Sequence, residues 1–125
     1  DEAVREAWRQ RSKQLIGIQP NSDVEGVLQD VHWANGMFGY FPCYTIGDLY
    51  AAQLLETYER EHSLSDEIAE GDFAPLLTWL RSHVHRAGRW RSAEATIEHI
   101  TGKGLDSAAF FRHIEATKPE PSPSR

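Results

Sequence analysis

Residues 72–84 read DFAPLLTWLRSHV and carry the signals of a complete amphipathic helix. Asp72 stands where a helix N-cap is expected, and Pro75 is tolerated in the first turn because its missing N–H would have had no partner there. The apolar residues that recur at helical spacing, and so share one face, are Phe73, Leu76, Leu77, Leu80 and Val84. This stretch therefore predicts a helix with a buried apolar side.

Similar signals continue on both sides of this helix. Ser92 is placed to cap a helix that Gly102 closes, and Asp106 is placed to cap the last helix. The other segments show apolar residues at helical spacing or a capped short run. The further predicted helices are residues 2–16, 46–62, 63–71, 92–102 and the segment that follows Asp106. The sequence thus predicts helices along most of its length.

The fold class that follows is all-α. No segment alternates apolar and polar residues with a period of two over enough positions to form a strand, and no internal repeat is visible. We expect a helical bundle with one long loop, rich in glycine and aromatic residues, over residues 18–45. The predicted domain covers residues 1–117, and residues 118–125, rich in proline and serine, form a mobile tail.

Composition excludes several classes of protein. The 125-residue chain has 13 basic and 19 acidic residues, a net charge of -6, which argues against nucleic acid as a partner. No apolar run reaches the roughly 18 residues that span a bilayer, so no membrane role is predicted. The single cysteine, Cys43, cannot form an internal disulfide, and its aromatic surroundings predict a small buried side chain. A reducing cytoplasm is the expected location.

The histidines do not form a recognisable zinc motif. No His-Glu-x-x-His is present, the spacing that places two imidazoles on one helical face around zinc. His83 and His85 are two positions apart on a predicted helix and so point to different faces. The remaining helical positions, which we interpret as solvated, are His62, His99 and His113. The arginine-rich run at residues 86–91 is interpreted as a cationic cluster at a helix C-terminus.

The stretch that carries chemistry is the loop at residues 26–44. It reads GVLQDVHW at residues 26–33 and GMFGYFPCY at residues 36–44. Polar residues within an irregular aromatic loop need hydrogen-bond partners, and such loops often carry function on a rigid scaffold. A purely structural network is an equal alternative, in which Gln29 and Asp30 hold loop amides and His32 bonds a carbonyl.

This loop resembles the thermostable carboxypeptidases of peptidase family M32. The match is Gly26-x-x-Gln-Asp-x-His-Trp33, and it continues through Gly39-Tyr-Phe-Pro42 and Tyr50-Ala-Ala-Gln53. Flanking similarity at residues 15–18, 71–81 and 84–89 extends the resemblance over nearly the whole chain except the tail. One departure is Ala87, where the family often has another histidine.

The resemblance implies a helical metallopeptidase that removes single residues from peptide C-termini. Members use zinc or cobalt, which a His-Glu-x-x-His motif and a downstream glutamate hold, and they usually form homodimers. Those ligands are absent here, and what is present resembles the C-terminal quarter of a chain about four times longer. The resemblance therefore implies no metal ligand and no cofactor in this chain, and an N-terminal part of the same protein as its partner.

The resemblance also implies which residues act. In related helical zinc peptidases a histidine and a tyrosine on a glycine-containing loop stabilise the oxyanion, and His32 and Tyr40 match those positions. Gln29 and Asp30 would orient the loop, with Asp30 fixing the tautomer of His32. The other aromatic residues, Trp33 and Tyr44, are expected in the groove wall or the core.

Two functions follow, from different classes. The first is a fragment of a metallocarboxypeptidase that supplies groove wall and a transition-state-stabilising loop but no metal site, and is inactive alone on peptide substrate. The alternative is a free-standing helical module for binding or assembly, since ancestry does not guarantee activity. The fragment hypothesis predicts self-association or unusual exposure at the residues that met the missing part, namely Trp8, Phe38, Phe41 and Leu49.

Overall fold

A computed structural model describes residues 2–118, and its regular structure is helical. The α-helices are α1 Glu2–Ile16, α2 Pro42–Tyr58, α3 Leu64–Glu70, α4 Ala74–His83, α5 Ala93–Thr101 and α6 Ala108–Thr117; short 3₁₀ turns cover Val27–Gln29, Val31–Asn35 and His85–Ala87. Between residues 2 and 118 there is no strand, which confirms the all-α prediction. Over the same span no helix has the length and apolar character needed to cross a membrane. The predicted tail lies outside the described residues, apart from Lys118.

The chain divides into two compact units at the start of α2. Helix α1 and the first two 3₁₀ turns belong to the first unit, which ends at Tyr44, and α3 to α6 belong to the second, which begins at Thr45. One helical domain over residues 1–117 stays a prediction.

Local signals set the helix ends where the caps are strong. Gly71 and Gly102 end α3 and α5 in the left-handed conformation, with φ of 71° and 77°, as predicted. Asp72 accepts from the backbone N–H of Ala74 at 3.0 Å, so it serves the start of α4 although the formal N-cap is Phe73. Asp106 does the same for α6, where Ser107 is the formal cap. The capping acids therefore act as predicted, one residue further from the helix.

Helix α2 begins earlier than the sequence predicts. Its first residue is Pro42, not Ile46, and its last is Tyr58, not His62. Proline has no N–H to donate and a backbone already set near the helical φ, so it favours the first helical position. Residues at the end of the predicted loop thus become the first turn of a helix.

The core of the second unit is small and centres on α2. Ala52, Tyr58, Ile97 and Ala109 are its buried apolar residues within the described range. Gln53 is only 4% exposed and joins distant parts of this unit. Its Nε2 donates to the carbonyl oxygen of Gly104 at 2.9 Å, and its Oε1 accepts from the N–H of Asp106 at 3.0 Å. Gln53 therefore fixes the α5–α6 connection to α2.

The predicted burial of the α4 face is wrong for this chain. Phe73 and Leu77 are 55% and 42% exposed. With their neighbours they line an open apolar groove of about 460 Å³, whose walls are Phe73, Ala74, Leu76, Leu77 and Leu80. Helix α1 likewise has no buried residue, and Leu15 is 75% exposed. The apolar stripes are present, but the described residues do not cover them.

Tyr58 is the most deeply buried large side chain among the described residues. Its hydroxyl donates to the Glu67 carboxylate, 2.5 Å from Oε1 and 2.7 Å from Oε2. The His62 ring stacks on it with centroids 4.3 Å apart, and Trp79 meets its edge. Burial raises the pKa of Tyr58 to about 12, and the hydrogen bond and negative charge of Glu67, with the charge of Asp72, add to the rise. Folding therefore favours the neutral phenol.

This raised pKa predicts alkaline destabilisation of the chain. The neutral Tyr58 phenol stabilises the folded chain fully below the unfolded tyrosine pKa of about 10. This stabilisation is lost as pH rises from 10 through the folded pKa of about 12. We expect the urea midpoint to fall across this window, and to fall less in Tyr58→Phe. The absorbance that tyrosinate gains near pH 12 should also be missing from that variant. Parallel curves for the two proteins would contradict the assignment.

Candidate functional site

The candidate site begins at Gly26, where the loop has no room for a larger residue. A Cβ at this position would lie 3.1 Å from Pro20 Cβ and 3.2 Å from the carbonyl oxygen of Ser22, closer than ordinary contact. The Asp23 carbonyl accepts from the N–H groups of Gly26 at 3.2 Å and Leu28 at 2.9 Å. The glycine thus lets the chain turn tightly into the first 3₁₀ segment.

Helix α1 holds this loop through charged and aromatic contacts. Arg5 Nε lies 3.0 Å from one carboxylate oxygen of Asp23, and an Arg9 Nη lies 3.4 Å from the other. These pairs are partly exposed, so each contributes little alone, about 1 kcal/mol or less. Trp33 adds an edge-on contact with Trp8 on α1, with ring centroids 6.1 Å apart. Together these contacts give the loop a helical support.

Asp30 orients the His32 ring. The Asp30 side chain is buried, and its Oδ1 accepts from both the backbone N–H of His32 at 3.1 Å and the ring Nδ1 at 2.8 Å. A carboxylate can only accept, so the proton of the neutral imidazole sits on Nδ1, and Nε2 is left as an acceptor. This pairing is the arrangement that fixes a histidine tautomer.

Four rings meet at the end of the loop, and we call them the ring cluster: His32, Tyr40, Phe41 and Tyr44. Tyr40 stacks on His32 with centroids 4.6 Å apart and planes tilted by 33°. Tyr44 lies 5.8 Å from both rings, and its hydroxyl is 3.4 Å from His32 Nε2. Phe41 meets His32 edge-on at 6.1 Å. The cluster therefore places one phenol on the face of the imidazole and another beside its Nε2 edge.

The ring cluster is accessible. Tyr40 is 43% exposed and Tyr44 is 55% exposed, while the His32 side chain keeps 13% exposure. Gly39 has a φ of 78°, the left-handed region that glycine adopts without strain, and this turn leads into Tyr40 and α2. The cluster can therefore present polar atoms to a ligand.

The predicted supporting residues are placed differently from one another. Asp30 contacts His32, but Gln29 donates from its Nε2 to the carbonyl oxygen of Val24 and so holds the loop without touching the ring. In the purely structural network considered as an alternative, His32 was expected to bond a carbonyl. In the structure the His32 ring bonds the Asp30 carboxylate instead. Trp33 packs between Trp8 and Phe38, as a wall residue would.

Sequence reasoning missed two features of this loop. Tyr44 was expected in the wall or core, yet it is exposed and bonds His32; its spacing from Tyr40 across a proline that begins a helix could have revealed this. Cys43 was predicted to be buried and is exposed, since it lies in the first turn of α2 with little around it.

The other histidines pack elsewhere or lie exposed. His62 was interpreted as a solvated helix position, but it follows the end of α2 and is half-buried against Tyr58. His83 stacks on Trp79 at 4.5 Å, and His99 and His113 are exposed on their helices as predicted. These residues show structural or surface roles.

The arginine-rich run is not at the end of a long helix. Helix α4 ends at His83, Arg86 lies in the 3₁₀ turn that follows, and Arg89 and Arg91 flank Trp90 in the next loop. These loop residues line an open cavity of about 680 Å³ in the second unit. The run therefore forms a loop beside that cavity.

The described residues do not make a metal site. Across residues 2–118, no three side chains of the His, Cys, Asp and Glu types lie close enough together to hold an ion. Two ligand-type residues of the candidate site, Asp30 and His32, are bonded to each other. A metal that acted at this site would need ligands from another part of the protein.

Comparison with known proteins identifies the family. Residues 2–118 match the family described as Carboxypeptidase Taq (M32) metallopeptidase. The chain belongs to the M32 metallopeptidase family. This confirms the resemblance drawn from the loop sequence.

Individual M32 relatives are similar over most of this chain. Thermostable carboxypeptidase 1 of Thermus thermophilus is 39% identical over 115 residues, 91% of this chain and 22% of the relative. Carboxypeptidase 1 of Bacillus subtilis is 42% identical over 100 residues, 79% of this chain and 20% of the relative. The solved structure of Pyrococcus furiosus carboxypeptidase superposes with a TM-score of 0.87 at 34% identity, covering 92% of this chain and 23% of that one. The chain thus spans about a quarter or less of the M32 relatives it matches.

Proposed function

We propose that this chain is the C-terminal part of an M32 metallocarboxypeptidase and contributes to the removal of single residues from peptide C-termini. The observation that carries the proposal is the ring cluster, which stands on the M32 loop beside a histidine oriented by Asp30. The zinc or cobalt that the family resemblance implies would be held by residues outside this chain, because the described ones do not fit it. Alone, the chain would be inactive.

His32 and Tyr40 would stabilise the oxyanion that forms on the peptide carbonyl. Tyr40 is 43% exposed, and its phenol would donate from the hydroxyl. His32 can donate from Nε2 only as the imidazolium, since Nδ1 is already bonded to Asp30. Donors fixed before the reaction can stabilise developing charge by about 3–4 kcal/mol each in a site that excludes water. Gln29 and Asp30 would keep the loop and the ring in that geometry.

The exposed apolar surface supports a partner within the same protein. Phe38 is 74% exposed and Phe41 is 51% exposed, whereas Trp8 and Leu49 are half-buried. Leu15 on α1 is 75% exposed, and apolar side chains also line the open α4 groove. Exposed apolar side chains of this kind mark surfaces that a partner covers. We propose that the N-terminal part of the protein covers these side chains, that the whole protein forms a homodimer, and that it works in the cytoplasm.

Self-association of the isolated chain is an expected consequence. The uncovered apolar side chains should bring copies together, giving a sedimentation coefficient that rises with concentration. Phe38→Ser should weaken the association, whereas Lys13→Ser, at an exposed polar position, should leave it unchanged. Strictly monomeric sedimentation at high concentration would count against a missing covering part.

The second candidate function is a helical module for binding or assembly without catalysis. The open groove on α4, lined by apolar side chains, is the feature that favours it. It would require the groove to hold a partner in the absence of any peptidase segment. Loss of catalysis in the experiment below, together with retained partner binding, would favour this candidate.

The proposal is tested by a chimaera. Residues 2–118 replace the matching segment of Bacillus subtilis carboxypeptidase 1, which shares 42% identity over 100 residues. We expect the chimaera to release C-terminal residues from a model peptide, and the relative with its segment deleted to release none. A chimaera that folds and binds metal as the relative does, but releases no residue, would refute the proposed function.

A further inference from the structure

The open cavity of about 680 Å³ beside the arginine-rich run takes no part in the proposed function. It lies within the second unit, where α2, the loop that follows α4 and the first turns of α5 line it. Leu54, Val84 and Ile97 supply apolar side chains to this lining, and Ile97 is only 4% exposed. A concave, mostly apolar space of this volume is typical of sites that hold small ligands.

Three consecutive exposed residues, Arg89, Trp90 and Arg91, also line this cavity. Trp90 is 87% exposed, so its ring stands on the solvent side of the lining. The short loop that carries these residues is held at both ends. The N–H of Trp90 donates to the carbonyl oxygen of Ala87 at 3.0 Å, and Ser92 caps α5 through its side chain. Hydrogen bonds within the chain therefore hold this loop before any ligand arrives.

The charge of this region is opposite to that of the chain. The net charge of the chain is -6, yet residues 73–93 contain four arginines and no aspartate or glutamate. Among the described residues, no carboxylate forms an ion pair with Arg89 or Arg91, although three other arginines are paired. Two guanidinium groups beside the cavity are therefore left to bind an anion.

These features together favour a carboxylate on an apolar body. The guanidinium group is planar, and its N–H groups match the two oxygens of a carboxylate. The apolar lining can hold the rest of the ligand, and the Trp90 ring offers a face for stacking. A nucleic acid fits less well, because two arginines neutralise few phosphates and the chain as a whole is acidic.

We propose that this cavity is a separate ligand site, which binds small apolar carboxylic acids through Arg89 and Arg91. The apolar body of the ligand packs against the apolar lining while its carboxylate stays at the arginine loop. The site shares no residue with the ring cluster, so it goes beyond the proposed function and does not depend on it. Binding requires no covalent step.

The binding test uses the 125-residue chain with N-acetylphenylalanine as the probe. The chain has four tryptophans, and each gives one indole N–H signal in a ¹H–¹⁵N NMR spectrum. We expect the Trp90 signal, identified by its loss in Trp90→Phe, to shift and saturate as the probe is added. N-acetylphenylalanine amide has the same body without the charge and should bind at least about tenfold more weakly. Equal binding of acid and amide, or a Trp90 signal that does not saturate, would overturn the proposal.

Three arginine variants locate the carboxylate. Arg89→Ala and Arg91→Ala should each raise the Kd of the acid about tenfold, because each removes a charge-assisted hydrogen bond. Arg86→Ala is the matched control, since Arg86 lies in the preceding 3₁₀ turn and outside the lining of the cavity. It removes the same charge and should change the Kd by less than about twofold. Equal effects of all three variants would show that only the overall charge attracts the probe, and the proposed site would be wrong.

Competition with inorganic phosphate tests whether the apolar body is recognised. Phosphate at constant ionic strength should not displace N-acetylphenylalanine, because it leaves the apolar lining empty. Displacement at the concentration at which the acid itself binds would reveal a plain anion site and contradict the proposal.

The chimaera tests whether the site persists in a complete enzyme. Calorimetric titration with N-acetylphenylalanine should show a binding event that is lost when Arg89 and Arg91 are both replaced by alanine. An active chimaera without this event would mean that the N-terminal part fills the cavity, which refutes the inference and leaves the proposed function intact. An inactive chimaera that shows the event would refute the proposed function alone.

Discussion

Tyr40→Phe in the chimaera is expected to lower kcat by about two to three orders of magnitude while leaving KM nearly unchanged. The substitution removes the hydroxyl that we propose as an oxyanion donor but keeps the ring stacked on His32. A donor used mainly in the transition state affects turnover and not the binding of the ground state. Initial rates on a model peptide over a range of concentrations measure both constants.

His32→Ala provides a second view of the same site. We expect a similar loss of kcat, with an additional loosening of the loop because the Asp30 contact and the stacking on Tyr40 disappear together. Tyr50→Phe, which removes a phenolic hydroxyl outside the ring cluster, should keep the parental kcat. If Tyr40→Phe retains kcat within about threefold of the parent, the hydroxyl does not stabilise the transition state.

Gln53→Ala is expected to lower the free energy of unfolding by about 2–5 kcal/mol, because it removes a buried side chain and leaves two half-buried backbone groups without partners. Those groups are the carbonyl of Gly104 and the N–H of Asp106. Urea unfolding of the chain, followed by circular dichroism, measures the loss; complete unfolding of the variant in buffer would be its upper limit.

Two further variants make this prediction specific. Gln53→Glu keeps an acceptor for Asp106 but places a buried carboxylate oxygen against the Gly104 carbonyl oxygen, so it should cost at least as much as Gln53→Ala at neutral pH. Gln10→Ala removes an exposed bond to Glu6 and should change stability by no more than about 0.5 kcal/mol. Equal losses for Gln53→Ala and Gln10→Ala would show that the buried amide does not tie these elements together.

Helix ends were predictable where the signal is local. Gly71 and Gly102 adopt the conformation that only glycine reaches without strain, and Asp72 bonds an N–H two residues away. The start of α2 was missed because Pro42 falls in the predicted loop at residues 18–45, although proline favours the first position of a helix. Position within the element, and not residue type alone, decides what proline does.

Other features depend on partners that the sequence pattern does not specify. Gln53 bonds residues more than fifty positions away, a distance over which spacing carries no information. The apolar stripe of α4 was recognised, but a stripe indicates that a face packs and not what covers it. Cys43 was predicted to be buried because its neighbours in the sequence are aromatic, but those neighbours are themselves exposed and so is Cys43.

The candidate site shows the same division. The motif from Gly26 to Trp33 was sufficient to select Asp30 and His32, and their contact follows from the 3₁₀ turn that joins them. The spacing of Tyr44 from Tyr40 across Pro42 could have indicated its place at the start of a helix, but the contact of its hydroxyl with His32 depends on how twelve positions of loop and helix fold. The spacing of the motif therefore identifies His32, whereas the contact between His32 and Tyr44 is seen only in the structure.

The central claim, that the ring cluster faces the reacting carbonyl, is tested most directly by a crystal structure of the chimaera with a phosphonate peptide that mimics the tetrahedral intermediate. We expect a phosphonate oxygen at about 2.7–3.1 Å from a tyrosine hydroxyl of the cluster, the distance of an oxyanion donor. A phosphonate bound at the metal with its oxygens turned away from His32, Tyr40 and Tyr44 would contradict the claim.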